Sequence, residues 1–525
     1  MNTPWYRSIR NIHRRTKMHH LRHFGLVLML TLLLPGLVRP LSAASATSTL
    51  DMAAIDRYVS EQLRTLRIPG AALGIVHGGQ IVHLQGFGRA DSSDRPMTTQ
   101  TPLLIGSLTK SFTAVAIMQL VEQGTIELDS PVQRYLPWFR VADPAASAQI
   151  TVRHLLNHSS GLPSGDEIAV LSREDTSADA IEQQVRALAT VELMQPVGSV
   201  VKYANTGYMT LGLVVETVSG QSYEDYVQEH IFAPLQMQQS FTSPHEARRF
   251  GLAEGHQYLF GQPRPFQLPY PRGALPAGYL VSSAEDMSRY LLAHLNGGQV
   301  GNVRILSTES VAELHRPSIS MGDDSSWIGM DWGVFDVDGV RLLQHDGDTG
   351  NYHSDVYLFP ETGWGFVLLM NASNPLQRSA TRQLGQGVAT LLMGQQPQPV
   401  AWNPAGSLLL GTLLTVGGLL LLSIARSIQT LRRWHAAPPR RAIWRQIVLP
   451  LMGNALVALL CLVLVPTVLL KVPLPAIIFQ IPDLGYTLAI IGGLALGWGL
   501  LRTVLALHLL PRQGAIVRHV VAAQS

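Results

Sequence analysis

Three short groups of residues in this chain have the types and spacing to carry out acyl transfer. The first is Gly106-Ser107-Leu108-Thr109-Lys110, in which a lysine follows a serine by three positions. The run behind it, Phe112 to Val121, is apolar and free of Gly and Pro, which predicts a buried helix. On a helix that opens at Ser107, residues i and i+3 share one face, so Ser107 Oγ and Lys110 Nζ converge at its N-terminus. The free N–H groups there favour developing negative charge. A serine needs a proton acceptor to become a nucleophile. A lysine accepts a proton only where burial or a neighbouring cation brings its pKa down from about 10.4. The pair therefore calls for a dry, mostly apolar pocket. The second group is Tyr203-Ala204-Asn205. A tyrosine beside the lysine can hold or relay the serine proton. An asparagine two residues on can bond both the lysine and a substrate amide. The third is His345-Asp346-Gly347 at the end of an apolar strand, followed by Asp348. Glycine there lets a substrate backbone approach the strand edge. Each group alone is a weak signal; three in order form one set of machinery.

These residues need elements to position them. Ile55, Val59, Leu63 and Leu66 fall at helical spacing, and Pro69-Gly70 ends that helix. Ala71 to Val76 and Ile81 to Leu84 read as a hairpin on Gly78-Gly79. Ile150 to Leu156 begins as a helix and passes into the turn residues His158-Ser159-Ser160-Gly161-Leu162-Pro163, a stretch read as structural. Met209 to Val218 is a helix ended by Gly220. Residues 256–278, rich in Pro and Gly, read as a long surface loop. Val334–Val337, Val340–Gln344, Asp355–Phe359 and Gly365–Met370 read as consecutive antiparallel strands, with a tight turn at Asp338-Gly339. The expected fold is an α/β antiparallel sheet flanked by helices, with a separate helical lobe.

The charge is divided along the chain. Residues 1–46 hold seven Lys/Arg and no acid, and residues 401–525 hold ten Lys/Arg and only Asp483. Taking these from totals of 39 basic and 36 acidic residues leaves 22 bases and 35 acids in 47–400, a net of −13. An acidic globule with basic, apolar ends is unlike a nucleic-acid binder and like a membrane protein. A basic stretch, the short apolar run Phe24–Val38 and Ala44-Ser45-Ala46 read as an export signal over 1–46, cleaved near Ala46 or kept as an anchor, with Met18 an alternative start. Residues 405–425, 447–470 and 486–505 are each long and apolar enough to cross a bilayer, and Pro450 and Pro466 could kink the second. Six arginines between Arg426 and Arg445, with no acid among them, place that connection in the cytoplasm. The domain over 47–400 then lies outside the cytoplasm, and 401–525 forms the membrane domain. The single cysteine, Cys461, excludes an internal disulfide. No metal is expected, since the histidines are scattered and no His-Glu-x-x-His occurs, and no phosphate-binding glycine loop implies a nucleotide.

Over 51–375 the chain resembles the serine β-lactamase-like hydrolases: penicillin-binding proteins, class C β-lactamases, D-aminopeptidases and related esterases. The resemblance rests on Thr101-Pro102 through Lys110-Ser111-Phe112-Thr113, Leu155-Leu156-Asn157-His158-Ser159-Ser160-Gly161-Leu162-Pro163, Tyr203-Ala204-Asn205, and Gly363-Trp364-Gly365 before a strand. It implies a β-lactamase-like fold, with Ser107 as the acylated nucleophile, Lys110 as its base and Tyr203 as the relay to the leaving group. It implies Asn205 as a substrate contact and the N–H groups of Ser107 and Asp348 as the oxyanion hole. The third motif departs from the lysine common in β-lactamases: His345-x-Gly347 is similar to the D-aminopeptidase and esterase branches. Histidine is a weaker, pH-dependent carboxylate anchor, and Asp346 and Asp348 add negative charge that disfavours an anionic substrate tail. An exported hydrolase domain followed by three spans is similar to the branch of prodrug-maturing peptidases of the colibactin type. The expectation is a membrane-anchored serine peptidase in the bacterial inner membrane, acting in the periplasm on a small peptide or N-acyl-D-amino-acid substrate. It uses no cofactor, and lipid is its one further partner. An esterase on the same residues, and a penicillin-binding sensor that never turns over, are the alternatives. The sequence gives no sign of oligomeric state.

Overall fold

A computed structural model describes residues 50–163, 174–337, 339–436 and 443–509. The export signal over 1–46, its cleavage site, part of the arginine-rich connection and the basic tail lie outside the described residues. Eight strands form one antiparallel sheet: β1 (Gly70–His77), β2 (Gln80–Gly88), β3 (Ile319–Asp323), β4 (Ser326–Ile328), β5 (Gly333–Val337), β6 (Val340–Asp348), β7 (His353–Phe359) and β8 (Trp364–Met370). Their spatial order is β2-β1-β8-β7-β6-β5-β4-β3. Within the sheet β1 sits between β2 and β8, with Ala71 opposite Met370. Val337 and Val340 pair across the expected tight turn, of which Asp338 lies outside the described residues.

Both faces of the central strands are covered, and side chains alternate between two cores as the two-residue period requires. Leu73, Ile75, Phe366 and Leu368 pack with helices α1 (Met52–Leu66) and α5 (Arg378–Leu392). Ala72, Val76, Val367 and Leu369 join the larger core on the other face, with helix α4 (Ala284–Leu295) and the helical lobe. That lobe holds α2 (Thr109–Glu122) and α3 (Asn205–Ser219). Every residue of α2 from Thr109 to Leu120 is buried, which explains why its sequence is apolar all round rather than on one stripe.

Two parts of the chain differ from the sequence expectation. Residues 256–278 are not a surface loop. They hold a hairpin, His256–Leu259 with Gln262–Pro265, and a short helix, Leu275–Gly278, whose Leu275, Pro276 and Ala277 are buried against α2. Proline and glycine serve there to bring main chain close to a helix that buries itself on all sides. Strand β3 forms the edge of the sheet, and β4, paired on both sides, is only three residues long, too short to show an alternation in the sequence.

After α5 the chain enters three long helices, α6 (Ala405–Ala436), α7 (Ile443–Leu459) and α9 (Pro482–Leu509), with a short α8 (Leu474–Gln480) before the last. Three stretches, Ala405–His435, Arg445–Leu470 and Pro482–Leu509, are long and apolar enough to cross a membrane. From Leu460 to Leu470 the second span is wound as a wider π-type helix around Pro466, whose nitrogen cannot donate to the ladder. Its last turn closes with the Lys471 N–H on the Pro466 carbonyl.

Candidate active site

The nucleophile turn is built by close packing. Gly106 has φ +57°, and a Cβ on it would fall 2.9 Å from the Asp348 nitrogen, so the position is closed to other residues. Gly347 is packed as tightly: a Cβ there would meet the Ile105 carbonyl at 2.0 Å and the Ser107 nitrogen at 3.0 Å. That packing gives Gly347 a role in the protein's own structure beside the expected one of admitting a substrate backbone. Its missing side chain makes room for the turn that carries the serine. Ser354 Oγ donates to the same Ile105 carbonyl at 2.7 Å, and the Ile105 N–H bonds the Leu280 carbonyl at 3.0 Å, which pins the turn from two sides.

A 3₁₀ turn over Gly106–Leu108 leads into α2, so Lys110 stands in its first turn and is fully buried. Lys110 Nζ donates to Ser107 Oγ at 3.1 Å and to the Ala277 carbonyl at 2.5 Å. The dry surroundings demanded by the Ser-Lys pair are present. Tyr203 OH donates to Ser107 Oγ at 2.7 Å, and Lys110 Nζ lies 4.7 Å from the Tyr203 ring centroid. The three groups expected to act together meet on one oxygen. Asn205, the first residue of α3, lines the same cavity as Ser107, together with Met209, Leu268, Asp348 and Arg378.

His345 is placed differently from the expectation. Its Nε2 lies 2.6 Å from Asp331 Oδ2, and its Nδ1 lies 2.7 Å from the Asp346 carbonyl. Both ring nitrogens are turned into the protein, so the anchor for a substrate carboxylate read into His345 is corrected to an internal ion pair. The carbonyl takes a hydrogen from Nδ1, and the Asp331 carboxylate beside Nε2 favours the protonated ring. Burial opposes that charge, but the Asp331 carboxylate outweighs it and leaves the His345 pKa raised.

Asp331 is the residue that sequence reasoning missed. It sits at φ +70° with its side chain fully buried, and its other oxygen lies 3.0 Å from His158 Nε2. His158 in turn grips the segment that carries Tyr203. Its carbonyl accepts the Lys202 N–H at 2.7 Å, its Nδ1 accepts the Ala204 N–H at 3.3 Å, and its ring lies 4.4 Å from the Tyr203 ring. An Nδ1 that accepts makes His158 neutral with its hydrogen on Nε2, in line with the downward pKa shift that burial imposes. The His158-Ser159-Ser160-Gly161 stretch was the available signal; its partner lies 173 residues away in sequence.

The acidic residues after His345 are also neutralised. Arg382 donates to Asp346 Oδ2 at 2.7 Å. Asp348 takes His353 Nδ1 at 2.7 Å and Ser373 Oγ at 3.0 Å on one oxygen, and Arg378 Nε at 2.8 Å on the other. Burial works against ionisation of Asp348, but Arg378 and His353 overcome it and hold the carboxyl well below the usual range. The expected negative field over the cleft is corrected: what faces the cavity is the half-exposed Arg378 guanidinium, backed by Asp348. Among the described residues no group of His, Cys, Asp and Glu is arranged to hold a metal ion.

A serine oxygen shared by a buried lysine and a tyrosine, on an antiparallel sheet with a helical lobe, defines the class of serine β-lactamase-like hydrolases. The chain belongs to the beta-lactamase family, whose profile matches residues 55–389. It is similar to penicillin-binding protein 4 of Amycolatopsis lactamdurans, 34% identical over 58% of this chain and 81% of that protein. It is also similar to protein Flp of Staphylococcus aureus strain MW2, 29% identical over 61% of this chain and 63% of Flp. Among solved structures, the octameric penicillin-binding protein homologue of Pyrococcus abyssi matches with a TM-score of 0.59 and 28% identity, covering 67% of this chain and 79% of that one.

Proposed function

We propose that this chain is a membrane-anchored serine peptidase that cleaves amide bonds in D-residue-containing peptides outside the cytoplasm, as a prodrug-maturing enzyme would. The observation that carries this reading is the single Ser107 oxygen within hydrogen-bond reach of both Lys110 and Tyr203. Ser107 Oγ adds to the amide carbonyl while its proton passes to Lys110. The oxyanion faces the N–H groups of Ser107 and Asp348. Tyr203 gives its proton to the leaving nitrogen and takes the one held by Lys110, the C–N bond breaks, and an ester to Ser107 remains. Water then adds to that ester, which releases the acid and restores the serine hydroxyl. The names of two relatives record binding of penicillin, itself a cyclic amide, which supports an amide substrate. Arg378 at the cavity offers a partner for a substrate carboxylate. The esterase alternative rests on His345 in place of lysine; a short-chain ester turned over much faster than any D-amino-acid amide would select it.

Purified full-length protein is expected to be phosphonylated at Ser107 by a fluorophosphonate and acylated there by a fluorescent penicillin, and Ser107→Ala is expected to remain unlabelled. Labelling that survives in Ser107→Ala overturns the assignment. An acyl-enzyme that forms but never turns over selects the sensor reading.

A further inference from the structure

Strand β6 ends at Asp348, whose main-chain N–H is one of the two groups assigned to the oxyanion. The N–H groups of a strand point alternately to its two sides. The Thr349 N–H turns to the β7 side, where the Tyr352 carbonyl accepts it at 3.0 Å. The Asp348 N–H therefore points the other way, to the side of β5. That strand stops short: its first residue, Gly333, pairs with Gln344, so it does not reach Asp348. The turn that carries Ser107 fills the gap, and a Cβ on Gly106 would fall 2.9 Å from the Asp348 nitrogen. The N–H thus stands on the last rung of a ladder with no strand beside it, and such rungs are the first to open. What fixes it is the side chain of the same residue. Asp348 Oδ1 accepts from His353 Nδ1 at 2.7 Å and from Ser373 Oγ at 3.0 Å. His353 is the cross-strand partner of Asp348, in a pair whose side chains stand close because its main chains do not bond. The His353 ring is buried, and its Nε2 lies 3.2 Å from the buried Asp355 Oδ2, so the imidazole is clamped between two carboxylates. Burial opposes a charge on the ring, but Asp348 and Asp355 outweigh it and push its pKa up to about 10. Arg378 and Arg382 of α5 stand on Asp348 and Asp346, so three carboxylates meet three bases behind the cavity.

We infer that His353 is a positioning residue for the oxyanion hole: by holding the Asp348 carboxylate it sets the direction of the Asp348 N–H. This rests on the hydrolase reading above. A donor stabilises the transition state most when it is aimed before the charge develops. The Ser107 N–H is aimed by the turn into α2, whereas the Asp348 N–H depends on its own side chain. Histidine suits the post because its two ring nitrogens face in different directions and answer two carboxylates at once. The clamp therefore matters little while the substrate carbonyl is uncharged and more once its oxygen carries charge.

The test uses the full chain in detergent and follows acylation of Ser107 by a fluorescent penicillin over a range of concentrations. It reads the maximal rate constant, the half-saturating concentration and the fraction of protein labelled at completion. His353→Phe keeps a ring and removes both donors. Its maximal rate constant is expected to fall about tenfold, short of the roughly 10²–10³-fold that follows loss of a whole donor, at an unchanged half-saturating concentration. His353→Asn, whose amide nitrogen takes the place of Nδ1, is expected to recover most of that rate. Ser373→Ala, which removes the other hydrogen bond to Asp348 Oδ1, is expected to lose about threefold. Impaired folding lowers the labelled fraction and leaves the rate constant of the folded molecules, so the two effects are read apart. A maximal rate constant in His353→Phe equal to that of the unaltered chain, or a loss carried wholly by the half-saturating concentration, overturns the inference. If His353→Phe leaves no labelled protein, Ser373→Ala decides, and an unchanged rate constant there overturns it. Absence of Ser107 labelling in the unaltered chain overturns the hydrolase reading instead.

Discussion

His345 and His158 share one carboxylate yet shift in opposite directions. The pKa of His345, whose Nδ1 faces a carbonyl, is raised; that of His158, whose Nδ1 faces an N–H, is lowered by burial. Asp331 is thus a positioning residue for Tyr203, acting through His158, and it neutralises a cation buried behind Lys110. Asp331→Asn keeps the shape and removes the charge. It is expected to lower kcat/KM by about tenfold, the equivalent of roughly 1.4 kcal/mol of transition-state stabilisation, with most of the loss in kcat and a shifted pH profile. A loss confined to KM, with the profile unmoved, would leave Asp331 a merely structural residue. At Gly106 the expectation is sharper. Gly106→Ala forces a Cβ into the Asp348 main chain, so Ser107 labelling should fall by an order of magnitude or more (about 1–3 kcal/mol of strain) while circular dichroism stays unchanged.

The helices and strands differ in how openly the sequence announces them. Strands β5 to β8 and helices α1 and α3 were legible because their apolar residues repeat at the period of the element and their ends carry turn residues. The serine, lysine and tyrosine were legible because residue type and spacing state their chemistry. Asp331 was not, because its meaning lies in two histidines brought to it by other elements. Residues 256–278 were misread because Pro and Gly mark both exposed loops and close main-chain packing. One buried pair between elements carries a prediction of its own. His294 on α4 and His315, just after the helix Thr308–Leu314, lie 2.9 Å apart beside Trp332. Burial pushes the His315 pKa down to about 3, against about 6.5 in the unfolded chain. Between those values the unfolded chain binds a proton that the folded one refuses. The contribution of this pair to stability is therefore full above pH ~6.5 and declines as the pH falls towards 3. The melting temperature should drop between pH 7 and pH 4, and His315→Gln should flatten that drop; an identical slope in the variant would remove His315 as its cause.

At the scale of the whole molecule, the first and third spans both start at the catalytic domain, while α6 ends and α7 begins at the far end of the bundle. Arg502 marks that end, donating to the Gln446 carbonyl at 2.7 Å and to Ser427 at 3.2 Å. In a Cys461→Ser background, Gln395→Cys should react with a membrane-impermeant maleimide on intact cells, and Arg433→Cys only after permeabilisation. The reverse pattern would turn the proposed orientation over.

The seating of β1 between β2 and β8 has a consequence for how the protein is made. A strand that leaves the ribosome early must wait for Met370 before its second edge is filled, and α1 must wait for α5. Contacts so distant in sequence form late and slowly. Both edges of β1 are therefore filled only when synthesis has come close to Ala405, where the first long apolar helix begins.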